Sequence, residues 1–540
     1  MRYLLKYLNH TFRVLVVVSL FSFSYQFFWG TKSGTLVLKS AELESHEQTD
    51  KFSNFPDLTY FQVSKEHDIE LYRYAPIEIM TQPGGPKVYS RRRSTNNCSQ
   101  VPKMKNIKFS NIYWQKMDLV HSTIYLLGAY YDSRMSPPLI RVIFGRRHFF
   151  PVDRLWAQMW FQNGNEGVTS RSTAVKYLNH GQSDSEEYKR TTHEEYYEAF
   201  MADFPIPNEF GTAIPLMVSL VENECDQASN LLKVIHEKPI EKRQFAICTR
   251  TLFFPKDEVF PLLMEWIEMN LALGVSKILV YILNVGPKIQ TVLEYYKNMG
   301  VLEYYGMTWP GANPQTAFLQ HDLWNKVLWF DTVLDHFAFH DCLYRHLYSY
   351  EYLSLLDVDE IIMPVQGMNW KILVDNLVLD PEESPWNNSN EDEWDSLLFR
   401  HFFFFGNQSK PFKSKFRILN NDLRSKDHFG YNQVKGFFRT RTTEIMFNHY
   451  PVRCVTNNGS CQIATADPSY ARLNHYRNVC QSLKVMLPPE LCEKFKTELE
   501  ADDLADRFAK TVMQGMARAS QHLLKRGISM NAEFDFGLTV

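Results

Sequence analysis

Glycine-rich phosphate loops are missing from this chain: neither G-x-G-x-x-G nor G-x-x-x-x-G-K-[ST] occurs in its 540 residues. That excludes the usual dinucleotide fold and the P-loop nucleotidases, whose backbone amides approach a phosphate through those glycines. A surplus of one charge is missing too. Lys and Arg number 58 against 61 Asp and Glu, a formal net charge of −3, so no excess of cations is available for a nucleic-acid backbone. The eight cysteines include no C-x-x-C doublet, so none has the spacing of a zinc site. Internal repeats are absent.

What is present describes a globular protein of more than one folded unit. Hydrophobic residues make up 45% and charged residues 22%, an ordinary balance, and the length exceeds one compact core. The exception is the N-terminus. Arg2, Lys6 and Arg13 precede an uncharged run from Val14 to Thr31 that closes at Lys32. As a helix, Val14 to Gly30 spans roughly 26 Å, enough for a thin bilayer. The positive residues on its N-terminal side keep that end cytoplasmic and place the rest in the lumen. A cleaved signal peptide ending at Ser22-Phe23-Ser24 is the competing reading, and it delivers the chain to the same compartment. The tripeptides beginning at Asn97, Asn387, Asn407 and Asn458 are glycosylation acceptors. The even cysteine count permits disulfides. Cys454 and Cys461, flanking a turn-like Asn457-Asn458-Gly459-Ser460, are the first pair expected to bond.

Composition then divides the chain. Residues 1–13 are expected as a cytoplasmic tail, 14–31 as a signal anchor, and 32–110 as a polar stem containing Pro83-Gly84-Gly85-Pro86 and Arg91-Arg92-Arg93. A β-rich accessory region follows over 111–240, strand-like at Ser122–Tyr131 and Pro138–Phe144. The main domain runs over 241–525, and 526–540 forms a C-terminal tail. In the main domain an apolar strand, Phe245–Phe254, precedes a helix-spaced segment, Glu258–Leu273, stopped by Gly274. The strand Lys277–Leu283, the helix Lys288–Met299 and the strand Val301–Tyr305 complete an α/β pattern that requires crossovers and a parallel sheet. Ligands of such sheets bind beyond the carboxyl ends of the strands, so Thr249, Arg250 and Asn284 are expected to line a site.

The sharpest feature is Tyr352-Leu353-Ser354-Leu355-Leu356-Asp357-Val358-Asp359-Glu360, an apolar strand that runs into three carboxylates. Asp357 and Asp359 fall on one side of an extended chain, where they can share a Mn²⁺ or Mg²⁺ ion and leave positions for a diphosphate. Phosphatases of the haloacid dehalogenase type also carry Asp-x-Asp, but on a first strand and followed by small residues, which Glu360-Ile361-Ile362 does not match.

Over about 240–480 the chain resembles glycosyltransferase family 92. The matching pieces are Glu265-Trp266-Ile267-Glu268 with Leu273-Gly274-Val275, then Asp341-Cys342-Leu343-Tyr344-Arg345, Asp357-Val358-Asp359-Glu360 and His475-Tyr476-Arg477. The resemblance implies a GT-A fold, meaning a Rossmann-like, mostly parallel sheet. It also implies a UDP-sugar donor (UDP-galactose), Mn²⁺ dependence, inversion at the anomeric carbon, a glycan acceptor and a Golgi address. By position it assigns metal binding to Asp357, Asp359 and His475, although His475 also reads as a polar loop histidine. Val358 lies with the donor between the two aspartates. Arg250 and Arg345 become diphosphate partners or structural arginines, and Asp341 either touches the donor or makes a buried hydrogen bond.

Inversion requires a general base, for which the acidic run Glu391, Asp392 and Glu393 offers candidates. His336, His340 and His346 lack the Glu of a metalloprotease motif and read as structural histidines. Two alternatives stay open: transfer from another UDP-sugar, and a silent GT-A fold that binds glycans. Self-association is compatible with the sequence, and the membrane is contacted only through the N-terminal helix.

Overall fold

The structure, a computed structural model, describes residues 100–147, 155–162, 167–178, 197–311, 316–326, 330–367, 369–379, 394–406, 416–430, 434–477 and 489–530. The expected anchor, nearly all of the stem and most of the C-terminal tail lie outside the described residues. Among those described, no helix is long and apolar enough to cross a membrane.

Ten strands between Phe109 and Ile235 form one sheet. Its centre includes β1 (Thr123–Asp132), β2 (Leu139–Arg147) and β3 (Tyr197–Pro205), joined antiparallel. Both faces of β1 are covered, and alternation decides which face each residue serves. Ile124 and Leu126 enter a core made by the sheet itself, while Tyr125 and Leu127 enter one shared with the second half of the chain. A register shift between Leu126 and Gly128 inverts the alternation. Beyond it Ala129 and Tyr131 serve the first core, and Tyr130 the second. Gly128 leaves room for this switch, because a Cβ there would lie 2.5 Å from the Tyr130 hydroxyl.

The second half begins with β4 (Arg243–Phe254), α1 (Phe260–Ala272), β5 (Lys277–Val285), α2 (Pro287–Asn298) and β6 (Leu302–Gly306). Each lies within two residues of its expected bounds. Among the elements that follow are α3 (Phe330–Arg345), β7 (Tyr350–Leu356), β8 (Glu360–Pro364), β9 (Ser396–Phe399), β10 (His401–Phe404), β11 (Lys435–Arg439), β12 (Thr443–Met446), β13 (Pro451–Cys454), β14 (Ile463–Thr465), β15 (Ala471–Tyr476) and α4 (Ala509–Leu524). Seven strands make the central sheet in the order β6-β5-β4-β7-β11-β9-β14. The first four are parallel, as the crossover lengths require, and β11 runs antiparallel to both neighbours. A small sheet, β8-β15-β10, stands beside it.

Alternation along β4 divides the layers. Phe245 and Ile247 face the core with α1, α2 and α4, whereas Ala246 and Cys248 face α3. The far side of α3 is covered by the accessory sheet, where Trp114 meets Phe337 edge-on at 4.9 Å, so the accessory sheet shares a core with the α/β domain. A disulfide from Cys248 to Cys342 fastens α3 to the sheet. A second joins Cys454 to Cys461, and Cys225 and Cys492 are also disulfide-bonded.

One apolar run divides in two. The apolar run Leu397–Phe405 is not a single strand: it breaks at the buried Arg400, whose carbonyl accepts from Leu473 N at 2.8 Å. The residues before the break pair within the central sheet and those after it pair with β15. Apolar periodicity cannot register such a change of partner, since both halves are buried.

The α3 histidines do not assemble a metal site among the described residues. His340 Nδ1 donates to the His336 carbonyl at 2.6 Å, and its Nε2 accepts from Met446 N at 3.2 Å. The ring is therefore neutral, and burial pushes it down to about 4. A group whose folded pKa lies below its unfolded value of about 6.5 adds stability above the unfolded value and loses it as pH falls toward the folded one. His340→Gln, which keeps one donor and one acceptor, is therefore expected to become relatively more stable than wild type on acidification. The gain should be on the order of 3 kcal/mol between about pH 6.5 and 4, read from paired denaturant titrations. Parallel curves for the two proteins would refute a neutral buried His340.

Candidate functional site

The acidic turn follows the carboxyl end of β7, beside the ends of β4 and β5, and its shape is set by Glu360. Asp357 N donates to Glu360 Oε2 at 3.0 Å, and Glu360 N returns a bond to the Asp357 carbonyl at 3.0 Å. From α1, Trp266 Nε1 donates to the Glu360 carbonyl at 2.8 Å. Tyr476 N donates to the Asp359 carbonyl at 2.9 Å. With its backbone fixed on these sides, the turn presents the Asp357 and Asp359 carboxylates partly exposed, at 21% and 23%.

Cations surround it. Lys435, buried on β11, lies 3.1 Å from Glu360 Oε2 and 3.6 Å from Asp357 Oδ2. Arg250 Nε is 3.9 Å from Asp357 Oδ1, but its close partner is Asp335 on α3, at 2.6 Å. Burial opposes ionisation of Asp357, and Lys435 and Arg250 outweigh it, so its pKa falls below the usual range. At Asp359 burial is likewise overcome, by His475 first and then by Arg477 and Arg417. For Glu360 burial prevails and its pKa rises.

Antiparallel pairing of β8 with β15 sets His475 opposite Glu360, and parallel pairing of β15 with β10 brings His401 alongside. The two rings stack at 4.6 Å, with His475 Nδ1 2.5 Å from His401 Nε2. Ligand atoms of Glu360, His401 and His475 all lie within 4.8 Å of one another, and this is the one such group among the described residues. Arg477 Nε donates to His475 Nε2 at 2.6 Å, so that nitrogen carries a lone pair. It sits 3.3 Å from Asp359 Oδ2, close to the edge of about 3 Å in an octahedron with bonds of about 2.1 Å. Asp357 Oδ1 is buried and accepts no hydrogen bond. Carboxylate oxygen and imidazole nitrogen are donors that a divalent cation accepts, and Asp359 Oδ2 and His475 Nε2 lie close enough to share one.

The other expected residues distribute as follows. Thr249 is buried in β4, where its hydroxyl accepts from Tyr281 N at 3.4 Å. Asn284 is half-buried near the end of β5, paired with Phe253. Val358 packs its side chain against the main core. Asp341 and Arg345 are engaged away from the turn: Arg345 Nη2 donates to Asp341 Oδ1 at 2.9 Å, and the carboxylate also accepts from Tyr130 and, at 2.7 Å, from Tyr281. That pair ties α3 to the accessory sheet on one side and to the central sheet on the other. Asn458 is exposed with φ 57° in the turn between the bonded cysteines. Asn97, Asn387, Asn407 and the run Glu391, Asp392 and Glu393 lie outside the described residues.

Sequence reasoning missed Lys435, His401, Asp335 and Arg417. Lys435 left a signal, a lone cation inside the strand-like Val434-Lys435-Gly436-Phe437-Phe438. His401 left none, because only the break at Arg400 turns it toward His475.

The site thus lies in an α/β domain with a mostly parallel sheet, whose central strand ends in a carboxylate pair beside an imidazole nitrogen. Residues 243–516, about half of the chain, match the family model for glycosyltransferase family 92. The protein is a member of that family, and so a sugar-transferring enzyme. No curated protein matches it. Among solved structures it is similar to S. aureus TarS 1–349, at 11% identity and a TM-score of 0.21, over 54% of this chain and 76% of that one. The same fragment in complex with UDP gives 11% and 0.21, over 55% and 75%.

Proposed function

We propose that this enzyme transfers galactose from UDP-galactose to a glycan acceptor with inversion, using a Mn²⁺- or Mg²⁺-dependent GT-A domain. The observation that carries the reading is the Asp357–Asp359 pair at the end of β7, with Asp359 Oδ2 3.3 Å from His475 Nε2. Asp357, Asp359 and His475 hold the cation, which when bound neutralises charge on the departing nucleoside diphosphate. Glu360 and Trp266 keep the turn in shape, so that little reorganisation is needed when the donor arrives. Lys435 offsets the mutual repulsion of Asp357 and Glu360. Thr249, Arg250 and Asn284, at the ends of β4 and β5, are the donor-facing positions of the parallel sheet. The general base belongs to Glu391, Asp392 or Glu393.

The address follows from the N-terminal pattern: a type II anchor over 14–31 with the enzyme in the Golgi lumen and Asn458 glycosylated in its exposed turn. Disulfides support an oxidising compartment.

The test uses the secreted lumenal part, from about residue 50, and a panel of UDP-sugars with Mn²⁺ or with chelator. Turnover of UDP-galactose that disappears with chelator is the expected result. A folded protein inert toward every donor, on a broad set of glycan acceptors, would overturn it in favour of glycan binding.

A further inference from the structure

Glu265 stands next to Trp266 in the motif Glu265-Trp266-Ile267-Glu268. Glu265 is fully buried on α1, and its carboxylate accepts three consecutive backbone N–H groups: Arg417 at 2.7 Å, Ile418 at 2.9 Å and Leu419 at 2.9 Å. Three donors converging on one carboxylate fix the backbone of the segment that bears them. The Asn421 side chain closes the same segment by donating to the Arg417 carbonyl. Gly, Ser or Asn usually shapes such a turn from within. Here a helix on the other side of the core holds it from outside, through one side chain.

What the clamp presents is Arg417. Each of the other cations at the acidic turn has close partners: Arg250 has Asp335, Lys435 has Glu360 and the Asn448 side chain, and Arg477 has His475. Arg417 has no ion pair within 4.0 Å among the described residues, and its Nε is buried without a hydrogen-bond partner. Its charge interacts with those of Asp359, Glu265 and Arg477, and α1 brings its segment beside the turn, since Glu265 holds Arg417 N while the adjacent Trp266 bonds the Glu360 carbonyl. A half-buried guanidinium in direct contact with no anion is costly. A rigid fork of donors at that place suits phosphate oxygens.

We propose that Arg417 binds the diphosphate of the nucleotide donor and that Glu265 is the positioning residue that aims it. This rests on the donor reading given above and adds to it the residue that engages the diphosphate. Helix α1 then organises two parts of the donor site at once, the acidic turn through Trp266 and the Arg417 segment through Glu265.

The test is calorimetric binding of UDP and of uridine to the lumenal protein in Mn²⁺, compared among wild type, Arg417→Ala, Arg417→Lys and Glu265→Gln. Arg417→Ala is expected to weaken UDP by about 30-fold and leave uridine unchanged, with Arg417→Lys in between. Glu265→Gln should weaken UDP by roughly 10-fold, and the double variant Glu265→Gln/Arg417→Ala should bind UDP no worse than Arg417→Ala alone. Should Glu265→Gln fail to fold, the two Arg417 variants decide alone. UDP binding to Arg417→Ala at wild-type strength overturns the proposal while leaving the donor reading intact. Equal losses for UDP and uridine also overturn it, because they show a structural role. Wild-type protein that binds no UDP sinks the donor reading, and this inference with it.

Discussion

Replacing Asp359 by Ala is expected to reduce kcat/KM for donor turnover by about 10³-fold or more, on the order of 4 kcal/mol of transition-state stabilisation. The fold should tolerate the change. The backbone of the turn is held by Glu360, Trp266 and Tyr476 N, none of which bonds to the Asp359 side chain. Arg477 keeps its hydrogen bond to His475, so no cation loses its close partner. A melting temperature within a few degrees of wild type, with turnover gone, separates loss of the site from loss of structure. Asp359→Asn keeps the volume and removes the charge, and is expected to behave like Asp359→Ala. More than a tenth of wild-type turnover in either variant would show that Asp359 is not a ligand of the cation.

A second large effect lies far from the turn. Arg141 is fully buried on β2 and bonds Asp132 at 2.7 Å, Asp203 at 3.0 Å and Glu444 at 2.7 Å. Its guanidinium also lies 5.5 Å from the centre of the Tyr344 ring. Glu444 belongs to β12, in the α/β domain, so this arginine joins the accessory sheet to the main domain through charge. Arg134 supports the joint by donating to the Thr440 and Thr443 carbonyls, at 2.6 Å each. Arg141→Met preserves much of the volume but leaves three buried carboxylates sharing Arg134, Lys176 and Arg453. The expected cost is about 3–5 kcal/mol, which lowers the melting temperature by roughly 5 °C. Calorimetry should still show one transition, because the two regions share a core around α3. An unchanged melting temperature, or two separated transitions, would mean that the accessory sheet folds independently.

Local chemistry made much of this legible. The strand–helix–strand order from β4 to β6 followed from short apolar runs, helical spacing and glycine stops, and those signals are confined to a few neighbouring residues. Asp357 and Asp359 could be recognised because two residues along a strand return to the same side. What escaped detection depended on distant pairing. His401 and His475 are 74 residues apart, and they meet only because β10 and β15 pair in parallel. Arg417 and Glu265 are 152 residues apart, and neither has a neighbour in sequence that hints at the other. Asp341 and Arg345 look like site residues in the sequence, but their partners Tyr130 and Tyr281 arrive from two different sheets.

By itself, then, the sequence determined the class of chemistry and the strand that bears it. Carboxylate spacing, apolar periodicity and the N-terminal run of uncharged residues are properties of contiguous chain. Only the tertiary structure decided which cations surround the turn, that His401 stacks on the expected His475, and that Glu265 and Trp266 brace the neighbouring segments from behind. Those are matters of register and packing between segments, fixed when the whole core closes. A bulge at Gly128 or a strand break at Arg400 redirects every side chain beyond it.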